Sequence, residues 1–185
     1  MNKNIGKLVL TLTIIGIISA LSLAFVYEWT TPYIEKHAAK ARENGIFEVI
    51  PEAESFKKVE KAGKVFYEGY SESGNKVGVA LIVEGPGFQG LIRVMVGVNV
   101  NNKEINNIKI LKHEETPGLG ARITGKEYKS NFVNKPFGDY KVVKKTPENP
   151  YQVEAISGAT ISSSKVTQIV EKAVNLIKNT YGSDS

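Results

Sequence analysis

The sequence predicts an α+β domain, an antiparallel sheet with packing helices, carried behind a single membrane-spanning helix. Three observations lead there. Residues 8–27 contain no charge and are dominated by Leu, Ile and Val, and roughly 20 apolar residues cross a bilayer core as a helix. Strand-like runs between residues 65 and 111 are joined by tight polar turns, which is how antiparallel strands are connected. Near the carboxy end, Val166, Ile169, Val170, Ala173, Val174 and Ile177 recur at spacings of three and four, on one face of a helix.

The elements follow in chain order. Asn2, Lys3, Asn4 and Lys7 precede the apolar run, while Glu28 and Glu35 follow it. By the positive-inside rule residues 1–7 are expected in the cytoplasm, 8–27 in the cell membrane and the remainder outside. A cleaved signal peptide is the competing reading, with Ser22-Leu23-Ala24 as its cleavage site. Signal h-regions run only to about 7–15 residues, so an uncleaved anchor is expected. Trp29 and Tyr33 bracket the outer end, where aromatic rings favour the headgroup region. Residues 28–50 read as a membrane-proximal helical segment. Thr31-Pro32 is a competent start for a new helix, since Pro is tolerated at the first helical position. The segment either continues the membrane helix or turns away from it, and Pro51 follows its end. A globular domain is expected over 51–185.

Within that domain, strands at 65–70 and 77–83 flank Ser73-Gly74-Asn75, and strands at 91–100 and 105–111 flank Asn101-Asn102. The breakers of Glu84-Gly85-Pro86-Gly87-Phe88-Gln89-Gly90 predict a loop between the hairpins. A short helix is expected at 125–133, further strands at 140–143 and 151–156, and the closing helix at 164–179. One globular domain and an appendage account for the 185 residues.

Composition removes several function classes. The chain has no cysteine, hence no disulfide, thiol nucleophile or iron–sulfur cluster held by this chain alone. His37 and His113 are the only histidines, too few for a typical histidine metal site. The net charge of +5 is spread thinly, with no basic run interleaved with aromatics, so nucleic acid is not an expected partner.

Two stretches carry chemistry. Ser157-Gly158-Ala159-Thr160 falls where a strand gives way to a helix, so its hydroxyls meet the unpaired N–H groups and positive dipole of a helix start. That is a setting for a phosphate, or simply a Ser/Thr cap. His113-Glu114-Glu115-Thr116-Pro117-Gly118-Leu119-Gly120-Ala121-Arg122-Ile123 is a loop whose glycines allow close approach of a flat ligand. Leu119 has no periodic partner and is either presented to that ligand or an ordinary surface residue.

Ser157-Gly158-Ala159-Thr160 followed by Ile161-Ser162-Ser163 resembles the flavinylation motif of the FMN-binding domains of Rnf electron-transport complexes and Na+-translocating NADH:quinone reductases. Glu154 stands where that motif usually has Asp. The string Glu115-Thr116-Pro117-Gly118-Leu119-Gly120 resembles the loop bordering the flavin in the same proteins, and residues 85–100, with their RVMVGVN run, are similar to the central strand region. The resemblance implies FMN carried in phosphoester linkage by Thr160, with Ser157, Gly158, Ala159, Glu115, Thr116, Pro117, Gly118, Leu119 and Gly120 around it. It also implies a Mg2+-dependent flavin transferase, with FAD as donor, as the maturation partner. Arg122 and His113 are candidates to touch the ring, and Lys165 to sit near the phosphate. A lone membrane helix holds no redox group across ~30 Å of hydrocarbon, so electrons must arrive through other membrane subunits. The family expected is the G subunit of Rnf-type ferredoxin:NAD oxidoreductases coupled to ion movement. The C subunit of the Na+-translocating NADH:quinone reductase is the nearest competitor. Outside that family stand a non-redox anchored binding domain, and a Ser-x-x-Lys acyl transferase using Ser162 and Lys165.

Overall fold

A computed structural model describes residues 3–182. Asn2 and the side chains of Lys3 and Asn4, on which part of the expected orientation of residues 1–7 rests, lie outside the described residues. The chain forms two units, Met1–Ala41 and Arg42–Ser185.

Helix α1 (Lys3–Val49) supplies the whole described part of the first unit. Among the described residues it is the one helix long and apolar enough to cross a membrane. Its few hydroxyls turn back on the helix: Thr11, Thr13, Ser22 and Thr30 each donate to the carbonyl four residues earlier, at 2.8–2.9 Å. Such back-bonding spares these hydroxyls the cost of facing hydrocarbon without a partner. Thr31-Pro32 does not start a new helix. Pro32 lies inside α1, and the Thr31 hydroxyl donates to the Tyr27 carbonyl at 2.7 Å.

The second unit is built on a six-stranded sheet whose spatial order is its sequence order: β1 (Ser55–Lys61), β2 (Lys64–Tyr70), β3 (Lys76–Pro86), β4 (Leu91–Asn99), β5 (Glu104–Lys112) and β6 (Lys135–Pro136). All neighbours are antiparallel. Both expected hairpins are present. Asn99 closes the second, its Oδ1 accepting from the amides of Asn101 and Asn102 at 3.0 and 3.1 Å. The breaker-rich stretch at 84–90 is shorter as a loop than expected, because Glu84, Gly85 and Pro86 pair with Arg93, Ile92 and Leu91.

Period-two alternation gives the sheet two apolar faces. Val79, Leu81 and Val83 of β3 and Val94, Val96 and Val98 of β4 face Val166, Val170, Ala173 and Ile177 of α3 (Thr160–Tyr181). Ala80 and Met95 point the other way and meet Ile46, Val49 and Ile50. The last turns of α1 therefore belong to the globular unit, which begins at Arg42 rather than at the boundary expected at residue 51. Glu48 fixes this end, pairing with Lys109 at 2.8 Å and Lys129 at 2.9 Å.

The connection from β5 to α3 also contributes β6 to the sheet edge. It holds a 3₁₀ turn (Gly120–Thr124), a five-residue helix α2 (Lys126–Ser130) where a longer one was expected, and a parallel pair, β7 (Lys141–Val143) with β8 (Gln152–Glu154).

Candidate functional site

The site forms where β8 hands over to α3. After Glu154 the chain turns sharply: the Ile156 amide donates to Ser163 Oγ at 3.0 Å, and the Ala159 amide to the Ile156 carbonyl at 2.9 Å. Gly158 makes the turn at φ +80°, a conformation costing an L side chain roughly 1–2 kcal/mol. Helix α3 then starts at Thr160, not at residue 164. The Ser163 hydroxyl both receives the Ile156 amide and donates to the Ala159 carbonyl at 3.0 Å, so the serine run forms the first helical turn.

This start lacks a side-chain cap. Ala159 occupies the N-cap position, and its methyl side chain accepts no bond from the first-turn amides. The hydroxyls of Ser157 and Thr160 make no hydrogen bond among the described residues. No acid belongs to the first turn of α3 itself; the Glu115 carboxylate reaches that turn from the neighbouring loop through Ser162.

Thr160, Ser157 and Gly158 line a cavity of about 750 Å³ together with Gly118 and Arg122. The two stretches singled out in the sequence thus meet across one space. Leu119, half exposed, places its Cδ2 3.5 Å from where a side chain at Gly158 would begin.

The other expected residues are not among those lining the cavity. Thr116 holds the loop through its carbonyl, which accepts from the amides of Leu119 at 3.2 Å and Ala121 at 3.1 Å. Pro117 is exposed, and Ala159 and Gly120 are buried. Glu115 is buried and spends its carboxylate on protein donors: the Phe88 amide at 2.7 Å, the Gln89 amide at 3.3 Å and the Ser162 hydroxyl at 2.5 Å. His113 and Lys165 are not in the cavity wall. His113 Nδ1 accepts from the Glu115 amide at 3.3 Å. With its hydroxyl buried against Glu115, Ser162 is not presented as a nucleophile.

Sequence reasoning missed Tyr128, Asn131 and Lys144, which complete the wall with Glu127 and Glu154. The Tyr128 hydroxyl donates to the Ser163 carbonyl at 2.9 Å, and its ring meets Phe132 edge-on at 5.6 Å. Burial pushes the Tyr128 phenol well above its ordinary pKa, so it remains a neutral donor. Asn131 Oδ1 accepts the Glu154 amide at 3.1 Å. No periodic signal marks these residues, because α2 has only five residues and Lys144 reads as part of a solvated lysine pair.

Residues 87–175, which include both motif stretches, match the FMN-binding domain family. Over the whole length the chain is 33% identical to the G subunit of the ion-translocating oxidoreductase complex of Methanosarcina acetivorans, covering 98% of each chain. The chain belongs to the G-subunit family of ion-translocating oxidoreductase complexes. Another G subunit, from the proton-translocating ferredoxin:NAD(+) oxidoreductase complex of Clostridium ljungdahlii, is 32% identical over 92% of this chain and 90% of its own. The fold is similar to that of the crystal structure of NqrC from Shewanella oneidensis, with a TM-score of 0.54 at 19% identity over 70% of this chain and 73% of that one. Full-length agreement with these G-subunit sequences extends to the amino-terminal helix, which the FMN-binding match does not include.

Proposed function

We propose that this chain carries electrons on FMN joined by a phosphoester to Thr160, as the G subunit of an Rnf-type ferredoxin:NAD oxidoreductase coupled to ion translocation. The observation that carries this reading is the unbonded Thr160 hydroxyl at an uncapped helix start, facing a cavity of about 750 Å³. That volume lies within the ~300–1,000 Å³ range of small-molecule and cofactor sites.

The chain's residues fit the group. Thr160 offers the kind of link the motif needs, a hydroxyl free of internal partners. The start of α3 favours a phosphodiester charge by about 0.3–1 kcal/mol. Arg122 and Lys144 bring positive charge to the wall, and Glu127 and Glu154 offset it. Tyr128, neutral and buried, holds the first turn of α3 in place through the Ser163 carbonyl. When bound, FMN supplies reversible one- and two-electron chemistry; the protein's part is to hold it, shield it and set its electrostatic surroundings. The C subunit of the Na+-translocating NADH:quinone reductase remains the alternative family member, and the near-complete alignment with G-subunit chains favours the Rnf reading.

In this reading residues 1–7 lie in the cytoplasm, 8–27 in the membrane, and the domain outside, with 28–50 leading into it. Other membrane subunits supply its electrons, and a flavin transferase attaches the cofactor.

The test is covalent fluorescence. Full-length protein made together with a flavin transferase should fluoresce as a band on a denaturing gel. Thr160→Ala should be dark while keeping its far-ultraviolet circular dichroism. A fluorescent Thr160→Ala band would refute the attachment site.

A further inference from the structure

The geometry points to Glu115 as the positioning residue of the flavin site, a buried carboxylate that fixes the Thr160 end of α3 against the β3–β4 loop and the 116–120 loop. The inference deepens, and rests on, the reading of Thr160 as the attachment point. It differs from the expectation that Glu115 touches the cofactor.

Each carboxylate oxygen has a separate task. Oε1 accepts from the Phe88 and Gln89 amides, in the loop joining β3 to β4. Oε2 accepts from Ser162 Oγ, in the first turn of α3 and two residues beyond Thr160. The peptide of Glu115 leads directly into the Thr116 carbonyl that closes the Gly118–Leu119 turn. One side chain therefore ties three segments distant in sequence, and each bond it makes engages an acceptor able to carry charge, the stronger class of hydrogen bond.

The glycines around it have a matching explanation. A side chain at Gly120 would begin 2.6 Å from Glu115 Oε2 and 2.8 Å from Ser162 Oγ, and one at Gly87 would collide with Glu115 Oε1. Neither glycine has a positive φ. They are small because the backbone must close over the carboxylate. Without that carboxylate, the Phe88 and Gln89 amides lose their acceptor, and the first turn of α3 loses its tie to the Gly118 wall. Misplacement of a reacting group by about 1 Å is enough to cost a large factor in rate, so the consequence falls on attachment at Thr160.

The test uses the full chain in detergent with three variants. Amide exchange is read on protein made without flavin transferase, and FMN on Thr160 on protein made with it. Glu115→Ala should speed exchange of the Phe88 and Gln89 amides by about tenfold or more and cut attachment by a similar factor. Glu115→Gln, which keeps the shape and an acceptor oxygen for the amides, should restore most of both. Ser162→Ala should slow attachment while leaving the Phe88 and Gln89 amides protected. Because Ser162→Ala leaves the loop bonds in place, it probes the helix link even should Glu115→Ala fail to fold. Wild-type exchange in Glu115→Ala, or wild-type attachment in Ser162→Ala, would overturn the inference. Absence of FMN from the wild-type Thr160 strikes the attachment reading instead, and the flavin-free exchange measurement still decides the role of Glu115.

Discussion

Glu68 shows how a single buried carboxylate is made stabilising. It lies on β2 under the end of α3, where the hydroxyls of Tyr70 and Tyr181 donate to it at 2.7 and 2.9 Å and Lys61 stands 3.8 Å away. Burial raises the pKa of such a group, but the two hydroxyls, with Lys76 and Lys61, outweigh it and hold the carboxyl below its ordinary value. A depressed folded-state pKa means that the unfolded chain takes up the proton first. Its contribution is therefore present above the ordinary carboxylate pKa and is lost as pH falls through the folded value. Glu68→Gln should lower the urea midpoint at pH 7, by the equivalent of about 1–3 kcal/mol, and should flatten the decline between neutral and acid pH. An unchanged acid limb would contradict this. At the same scale, Thr160, Gly158 and Gly118 were legible because their motifs are local strings. Tyr128 and Lys144 were not, since only the tertiary course of α2 and β7 brings them to the cavity. Glu115 stands in a local string as well, but nothing local says that its partners are Phe88, Gln89 and Ser162.

At the scale of elements, the strongly periodic segments were readable and the polar or very short ones were not. Helix α3 announces itself by its apolar spacing, yet its first turn was hidden because serines usually precede helices, whereas here Ser163 lies inside the helix and bonds back to the Ala159 carbonyl. Strand β1 escaped because Phe56 and Val59 are its only apolar members and its turn to β2 uses Ala62 and Gly63, both at positive φ, instead of the usual Asn-Gly pair. The end of α1 is a different case. Its helical character was expected, but that Ile46, Val49 and Ile50 form the core of the second sheet face is a long-range fact. Ile46→Ala should cost about 2–5 kcal/mol, read as a shift of the thermal or urea midpoint. A soluble version starting at residue 42 should melt cooperatively, and one starting at 51 should not. Equal stability of the two versions would show that the α1 end is dispensable.

For the molecule as a whole, a helix able to cross a membrane leads into the unit that carries the candidate site, and family membership rests on similarity along almost the entire chain. The broad class was legible, since an uncharged apolar run and hairpin turns survive any detail of packing. The boundary between anchor and domain was not, because one helix serves both. The central claim concerns the Thr160 oxygen, and mass spectrometry reads it directly. Full-length protein produced with its flavin transferase, digested with trypsin, should yield a peptide containing Thr160 that is heavier by the FMN increment, with fragmentation placing the added mass on that residue. An unmodified Thr160 peptide from protein that had met an active transferase would contradict the account.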